Sequence, residues 1–174
     1  MMMRCNIGLC FLIICLFSSG CGYQVGVRAM THPQIKSIAV APVKNNTLEP
    51  LAADVLRMQL SGEIQRDGAL KLKRVSSADC VIYAEIISVK NKTVREDSYD
   101  NALTYRPAEF QITVEVEYSV QIPGSGTPLI EKRKVSGSAL YEILADPAVA
   151  RATALKFACF HASENIVRSV TEGW

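Results

Sequence analysis

FQITVEVEYSVQI, residues Phe110 to Ile122, alternates apolar and polar side chains along its whole length. Successive side chains of a β-strand point to opposite faces of a sheet, so this pattern predicts one apolar face and one solvated face. Antiparallel sheets that pack against a core on one side have this pattern. The stretch therefore predicts a long strand in a sheet that is covered on one face only.

The segments around this strand extend the same sheet. Residues 123–128 (PGSGTP) predict a turn, after which residues 129–140 return as an antiparallel partner. The apolar run IKSIAVAPV at residues 35–43 predicts a strand that is buried on both faces. Residues 70–75 alternate Leu with Lys, and together with CVIYAEIISV at residues 80–89 they form either one bulged strand or a short hairpin.

Two helices complete the fold prediction. The first is predicted between Pro50 and Gly68, which are typical start and stop residues. Its apolar stripe comprises Leu48, Ala52, Val55, Leu56, Leu60 and Ile64. Asp146 and Pro147 form an N-cap followed by a first-turn proline, so a second helix is predicted from there to about Glu172. Its inner stripe comprises Ala148, Ala152, Leu155, Cys159, Ala162, Ile166 and Val170. The sequence thus predicts an α+β two-layer sandwich, with two helices packed on one face of a roughly four-stranded mixed sheet.

The N-terminal residues have the layout of an export signal. Arg4 supplies a positive charge, residues 7–17 form an apolar run, and small residues lead into Cys21. The run is shorter than the about 20 residues that a helix needs to cross a bilayer. We therefore predict a signal peptide at residues 1–20 that is cleaved between Gly20 and Cys21.

The residues around the cleavage site resemble the lipobox of bacterial lipoproteins. The resemblance is carried by Ser19, Gly20 and Cys21, whereas Ser18 stands where the lipobox usually has Leu. It implies that Cys21 carries a thioether-linked diacylglycerol and an N-acyl chain after cleavage, so that the protein is held on a membrane surface without spanning it. The alternative is an ordinary signal peptide whose cleavage site falls near a cysteine.

The rest of the chain is predicted to be a lipidated N-terminus and tether at residues 21–33 and one domain at residues 34–174. The full sequence has 19 Lys and Arg against 17 Asp and Glu, so no bulk charge draws the protein to nucleic acid. Cys80 and Cys159 lie in the predicted domain. They could form a disulfide in an exported protein, or they could be free cysteines that act as small buried hydrophobic residues.

No set of residues typical of an enzyme is present in the sequence. His32 and His161 are the only histidines, and neither has a nucleophile nearby in the sequence. Glu115 and Glu117 share one face of the central strand and resemble a carboxylate pair, but the alternation alone places polar residues there. We therefore expect no enzymatic activity, no metal site, and no cofactor other than the acyl chains on Cys21.

Basic residues are the most informative polar feature of the predicted domain. They cluster near strand ends, and in an antiparallel sheet they could face a common anionic ligand such as a lipid phosphate. The candidate binding residues are Lys90, Arg95, Arg106, Lys132 and Lys134. The same charges could instead keep an edge strand from pairing with other chains. Residues 91–108 are predicted to form a long loop, of the kind that often makes an interaction surface.

Several motifs, in this order along the chain, resemble the LptE family of lipoproteins. They are Cys21-Gly22-Tyr23, IKSIAVAPVKNNTLEP at residues 35–50, the Ala78-Asp79 step into a strand, the alternating strand at residues 110–122, and an Ala-rich last helix that ends with Ile166-Val167 and Gly173-Trp174. The match extends over nearly all of the chain after the signal, and the order of the motifs is more specific than any one of them.

The resemblance implies a non-enzymatic lipoprotein of the outer membrane, anchored on the periplasmic side. Members of the family sit as a plug inside the large barrel protein LptD, help it to fold, and bind lipopolysaccharide during its delivery to the outer leaflet. Gly22 after the lipidated cysteine resembles the outer-membrane sorting pattern. The resemblance does not identify the lipid-binding residues one by one, so the five basic residues stay candidates from their strand-end positions.

Two other classes of function compete with this interpretation. The run IAVAP followed by Asn and Thr also resembles outer-membrane lipoproteins that regulate cell-wall synthases or build secretion pores. A lipid-anchored hydrolase is a third class, which would have to use Glu115 and Glu117 because no nucleophile and base can be paired.

Overall fold

The computed structural model describes residues 34–98, 105–142 and 146–172, with the backbone alone described at residues 97–98 and 105–108. The elements, in chain order, are β1 (Ser37–Val40), β2 (Lys44–Asn45), α1 (Ala52–Asp67), β3 (Lys71–Leu72), β4 (Cys80–Ser98), β5 (Tyr105–Gln121), β6 (Pro128–Glu142) and α2 (Pro147–Glu172). The predictions about the signal peptide, Cys21, the tether and His32 concern residues outside the described ranges.

The strands form one mixed sheet in the order β3-β1-β4-β5-β6, with β2 also paired to β4. The strand β1 pairs in parallel with β3 and with β4, and β2 pairs in parallel with β4. The helix α1 connects β2 to β3, as crossovers to parallel strands commonly do. The strands β4, β5 and β6 form an antiparallel meander. The sheet has six strands rather than about four, since β2 and β3 add two strands of two residues each. The predicted class, two helices on one face of a mixed sheet, is confirmed.

Alternate residues of β5 form the floor of the core. Its fully buried side chains are Ile112, Val114, Val116, Tyr118 and Val120. They belong to one apolar cluster with buried residues of both helices, so both helices lie on the same face of the sheet. Burial of each such aliphatic side chain contributes about 1.5–3 kcal/mol. The alternation in the sequence therefore identifies the covered face correctly.

Both helices have the predicted end signals. The chain leaves α1 at Gly68, which has the left-handed φ of 72° and whose N–H donates to the Ile64 carbonyl. At the start of α2, the Asp146 Oδ1 accepts hydrogen bonds from the backbone N–H of Ala148 at 2.8 Å and Val149 at 3.3 Å. Asp146 is therefore the N-cap of α2, as predicted.

The two layers approach each other closely at Gly137 in β6. A Cβ placed there would lie 2.1 Å from the Ala158 carbonyl oxygen and 2.3 Å from the Ala162 backbone nitrogen. Real Cβ contacts are longer, so any side chain at this position would have to push α2 away from the sheet. Gly137, with the alanines that face it, thus sets the distance between α2 and β6.

Three sequence predictions need correction. The expected loop at residues 91–108 is mostly strand, because β4 continues to Ser98 and pairs there with Tyr105 of β5. Residues 91–96 of β4 are polar except for Val94, which is exposed, so the alternation disappears although the backbone ladder continues. Each predicted helix stripe was also too long at its start, since Leu48 and the pair Ala148 and Ala152 are exposed.

The disulfide proposed between Cys80 and Cys159 is not formed, and both residues are free thiols. Both are fully buried, and burial raises the pKa of each thiol to about 12. A thiol with such a pKa is protonated and unreactive at neutral pH. The other alternative, two cysteines acting as small buried hydrophobic residues, therefore describes the structure. In the part of the chain that the structure describes, no helix is long and apolar enough to cross a membrane.

Candidate functional site

The candidate site is the polar face of β4, β5 and β6, which we call the open face. Within the described residues, both helices lie on the opposite side of the sheet. The odd-numbered residues of β5 from Glu109 to Gln121 point to the open face, because the even-numbered ones are buried under the helices. Four of the five candidate basic residues lie on this face. The register places Lys90, Arg95 and Lys134 beside these β5 residues, and Lys132 contacts Glu117.

Lys90 of β4 lies beside Glu115 of β5. Its Nζ is 3.0 Å from the Glu115 Oε1, while the Ser88 hydroxyl donates to the Glu115 Oε2 at 3.1 Å. These hydrogen bonds, that of Lys90 first, hold the pKa of the Glu115 carboxyl below its ordinary value. The Lys90 side chain is still 66% exposed. It is therefore both paired and accessible to a ligand.

Lys132 of β6 makes the corresponding contact with Glu117. Its Nζ is 2.9 Å from the Glu117 Oε1, which lowers the pKa of the carboxyl and raises the pKa of the lysine. Lys134 lies directly opposite Glu117 in the ladder, and its charge helps to lower the pKa of both Glu115 and Glu117. Lys132 is 74% exposed, so this group is also accessible from solvent.

The remaining two candidates lie toward the far end of the β4–β5 hairpin. Arg95 reaches across β5 to Glu142 of β6, with 3.2 Å between its Nη2 and the Glu142 Oε1. The backbone of Arg106 pairs with Asp97, and its side chain lies outside the described part of the structure. The structure thus brings Lys90, Arg95, Lys132 and Lys134 onto one face, and it gives no side-chain position for Arg106.

A shallow pocket of about 370 Å³ occupies the end of the open face near β2. Its walls include Glu85 and Glu117, which lie directly opposite each other in the β4–β5 ladder. Like charges at such a position are unfavourable unless each has a partner. Lys132 neutralises Glu117, and the Asn46 side-chain amide donates to Glu85. The other lining residues are Pro42, Lys44, Tyr83, Ala84, Tyr118, Ser119, Gln121 and Lys132.

The glutamate partners are the part of the site that sequence reasoning missed. Lys90 and Glu115 are 25 residues apart, and a contact between them follows only from the register of the hairpin. The β4–β5 ladder shifts between Ile86 and Ser88 and again between Thr93 and Arg95, so its register cannot be counted along the sequence. For Lys132 and Glu117, the turn at residues 123–128 suggests a β5–β6 register, but that ladder shifts between Tyr118 and Val120. The open face is therefore a ladder of alternating charges rather than a bare basic patch.

Glu115 and Glu117 do not have the electrostatic setting of a general acid. A carboxyl that acts as a general acid needs a raised pKa, whereas Glu115 and Glu117 both have lowered pKa values. His161 is exposed on α2, where its Nδ1 lies 3.0 Å from Glu164. Among the described residues, no group of three His, Cys, Asp or Glu side chains could hold a metal ion.

The open face is instead suited to a ligand that carries phosphates and hydroxyl groups. Exposed ion pairs contribute only about 0–1 kcal/mol each, so an incoming phosphate can replace a glutamate beside a lysine at little cost. A released carboxylate can then accept a hydrogen bond from a sugar hydroxyl. The hydroxyls of Ser88, Ser136 and Ser138 stand in the same rows and add further polar groups.

Comparisons with known proteins agree with this fold. The model of the family LptE, described as lipopolysaccharide-assembly, matches residues 35–170. No curated protein matches the chain significantly.

Among solved structures, a protein from Xanthomonas campestris is similar with a TM-score of 0.55 and 13% identity, covering 82% of this chain and 87% of that one. A minor lipoprotein from Acinetobacter baumannii has a TM-score of 0.53 and 12% identity, and the match covers 80% of this chain and 95% of that one. The PelC dodecamer from Paraburkholderia phytofirmans has a TM-score of 0.51 and 10% identity, and the match covers 79% of this chain and 90% of that one. At these identities the three structures share the fold alone with this chain.

Proposed function

Since the chain belongs to the lipopolysaccharide-assembly family LptE, we propose that it is the lipoprotein subunit of the outer-membrane lipopolysaccharide translocon. In this role it is lipidated at Cys21, is held on the periplasmic side of the outer membrane, and acts as the plug and assembly partner of a barrel protein of the LptD type. It binds lipopolysaccharide and delivers it to the outer leaflet, without enzymatic activity.

The observation that carries the proposal is the family match over the whole described domain, from residue 35 to residue 170. The geometry of the open face supports the lipopolysaccharide part. Lipopolysaccharide carries phosphates and sugar hydroxyls on one molecule, and the open face presents lysines and carboxylates in adjacent rows. Lys90, Lys132 and Lys134 are the charges that we assign to the phosphates.

The first test reverses charge on the open face. We expect Lys132→Glu combined with Lys134→Glu to weaken lipopolysaccharide binding by about tenfold or more, because two exposed cations are replaced by repelling anions next to Glu117. Binding is measured with purified protein and labelled lipopolysaccharide, and circular dichroism checks that the fold is retained.

The matched control combines Lys156→Glu with Arg168→Glu, which makes the same change in net charge on the exposed surface of α2. This control should bind like the wild type. If the Lys132 and Lys134 double variant bound lipopolysaccharide as tightly as the wild type, the open face would not be the binding site.

The second test separates the proposed role from the other lipoprotein functions. The PelC structure is a dodecamer, so the fold alone does not separate a translocon subunit from a ring-forming protein. Co-purification from detergent-solubilised membranes should recover the tagged protein with a large outer-membrane barrel protein. Recovery as a homo-oligomeric ring, or with a cell-wall synthase, would contradict the proposal.

A further inference from the structure

A basic pocket lies at the β3 edge of the sheet, at the opposite end of the strand order from β6. We call it the edge pocket. It has a volume of about 470 Å³ and lies between α1, β3 and the turn that follows β3. It is lined by Val40, Arg57, Ser61, Leu72, Lys73, Arg74 and Val75.

The backbone around the edge pocket is fixed by hydrogen bonds. The Lys73 N–H donates to the Ile38 carbonyl at 2.9 Å, which ties the end of β3 to β1. The Arg74 carbonyl accepts from the Ser77 N–H at 3.0 Å and closes the turn. Arg57 stands on the exposed side of α1, which is a rigid support. The backbone positions of Arg57, Lys73 and Arg74 are therefore fixed around one concave surface.

The edge pocket differs from the open face in its charge balance. Three cations, Arg57, Lys73 and Arg74, line it, and its lining includes no carboxylate. Asp79 lies near Lys73, whose charge helps to lower the pKa of its carboxyl. That carboxylate accepts its hydrogen bonds from the backbone N–H groups of Lys36 and Ser37 and from the Ser37 hydroxyl. On the open face, in contrast, Lys90 and Lys132 each contact a glutamate. The edge pocket can therefore receive an anion without displacing an ion pair.

We propose that the edge pocket binds the phosphate headgroup of an anionic phospholipid in the leaflet that surrounds the barrel. Arg57 and Arg74 can hold phosphate oxygens with two N–H groups each, and Lys73 adds a third positive charge. Val40, Leu72 and Val75 form an apolar wall next to these cations. A wall of this kind fits the glycerol and acyl part of a lipid rather than a free phosphate ion.

The position of the edge pocket in the chain also favours a membrane lipid. The strand β1, which pairs with β3, begins shortly after Gln34, and Gln34 is only 13 residues beyond Cys21. A fully extended chain of that length spans at most about 45 Å. If Cys21 is anchored as in the proposed function, the edge pocket is held within reach of the surrounding leaflet.

The test uses vesicles and the chain from residue 21 onward with Cys21→Ser, which contains every described element and has no acyl anchor. Wild-type protein should bind vesicles containing phosphatidylglycerol and should not bind vesicles of phosphatidylcholine alone. The double variant Arg57→Glu with Arg74→Glu should weaken the binding by at least about tenfold, since each cation near an anionic surface contributes roughly fivefold. Arg57→Lys with Arg74→Lys should keep most of the binding.

The control pair, Lys156→Glu with Arg168→Glu on the exposed surface of α2, carries the same change in net charge and should bind the phosphatidylglycerol vesicles like the wild type. Equal loss in both pairs would show attraction by net charge alone and would overturn the proposal. Binding by the Arg57 and Arg74 glutamate variant that equals that of the wild type would overturn it as well. Because the vesicles of the main test contain no lipopolysaccharide, failure here leaves the proposed transport function untouched.

Discussion

The two faces of the β4–β5–β6 sheet are built from the same strands and are stabilised in different ways. On one face, Ile112, Val114 and Val116 are buried beneath α2. On the other, Glu115 and Glu117 contact lysines that are largely exposed to solvent. Apolar burial contributes kilocalories per side chain, whereas exposed ion pairs contribute about 0–1 kcal/mol. Stability therefore lies on the covered face, and the open face can exchange its partners.

The largest expected effect tests how closely the covered face is packed. Gly137→Ala would place a Cβ against backbone atoms of Ala158 and Ala162 that cannot rotate away. We expect a loss of about 4 kcal/mol or more in the free energy of unfolding, above the 1–3 kcal/mol usual for overpacking. Urea denaturation measures the change.

A matched glycine in α1 provides the control for this experiment. Gly62 is exposed in the helix, and a Cβ there would have no atom within 4 Å. Gly62→Ala should therefore raise stability by about 0.5–1 kcal/mol, as is usual for glycine inside a helix. If Gly137→Ala were tolerated as well as Gly62→Ala, the close approach of α2 to β6 would be wrong.

The next largest effect compares neighbouring residues on the two faces. Ile112→Ala should cost about 3 kcal/mol, because it leaves a cavity under α2. Gln111→Thr, one residue earlier and on the open face, should change stability by no more than about 0.5 kcal/mol. Similar losses in both variants would mean that the open face is also packed against another part of the protein.

The smallest effect concerns the ion pairs of the open face. The pKa of Glu117 is lowered in the folded protein by Lys132, so the stabilisation is present above the ordinary carboxyl pKa of 4.5 and is lost as the pH falls through the lower folded value. The wild type should thus melt at a slightly higher temperature than Glu117→Gln at about pH 7, and the difference should shrink as the pH falls below 4.5. A difference that persists in acid would mean that the effect of Glu117 does not depend on its charge.

The regular parts of this fold could be predicted from the sequence. The unbroken alternation of residues 110–122 identified β5 and its covered face, and Asp146 with Pro147 identified the start of α2. These features are local, since they depend on side-chain periodicity and on capping within one segment. The sequence therefore predicted which segments are strands or helices and which face of the central strand is covered.

The features that could not be predicted depend on contacts between distant segments. The extension of β4 from Asn91 to Ser98 has a single apolar residue, Val94, in its sequence, so no periodicity marks it as a strand. The ion pair of Lys90 depends on the β4–β5 register and that of Lys132 on the β5–β6 register, and both registers shift within their hairpins. A lone glycine in a strand can mark a close backbone approach, and this signal at Gly137 was available in the sequence. The sequence did not show that the backbone of α2 is what approaches Gly137.

The central claim is that the open face, and not the helix layer, meets lipopolysaccharide. The most direct test places a photo-cross-linking amino acid at Ser138 in β6 or at Phe157, which is exposed on α2, in cells that make lipopolysaccharide. Irradiation should give a lipopolysaccharide adduct from position 138 and little or none from position 157. Adducts from position 157 alone, or equal adducts from both positions, would contradict the account.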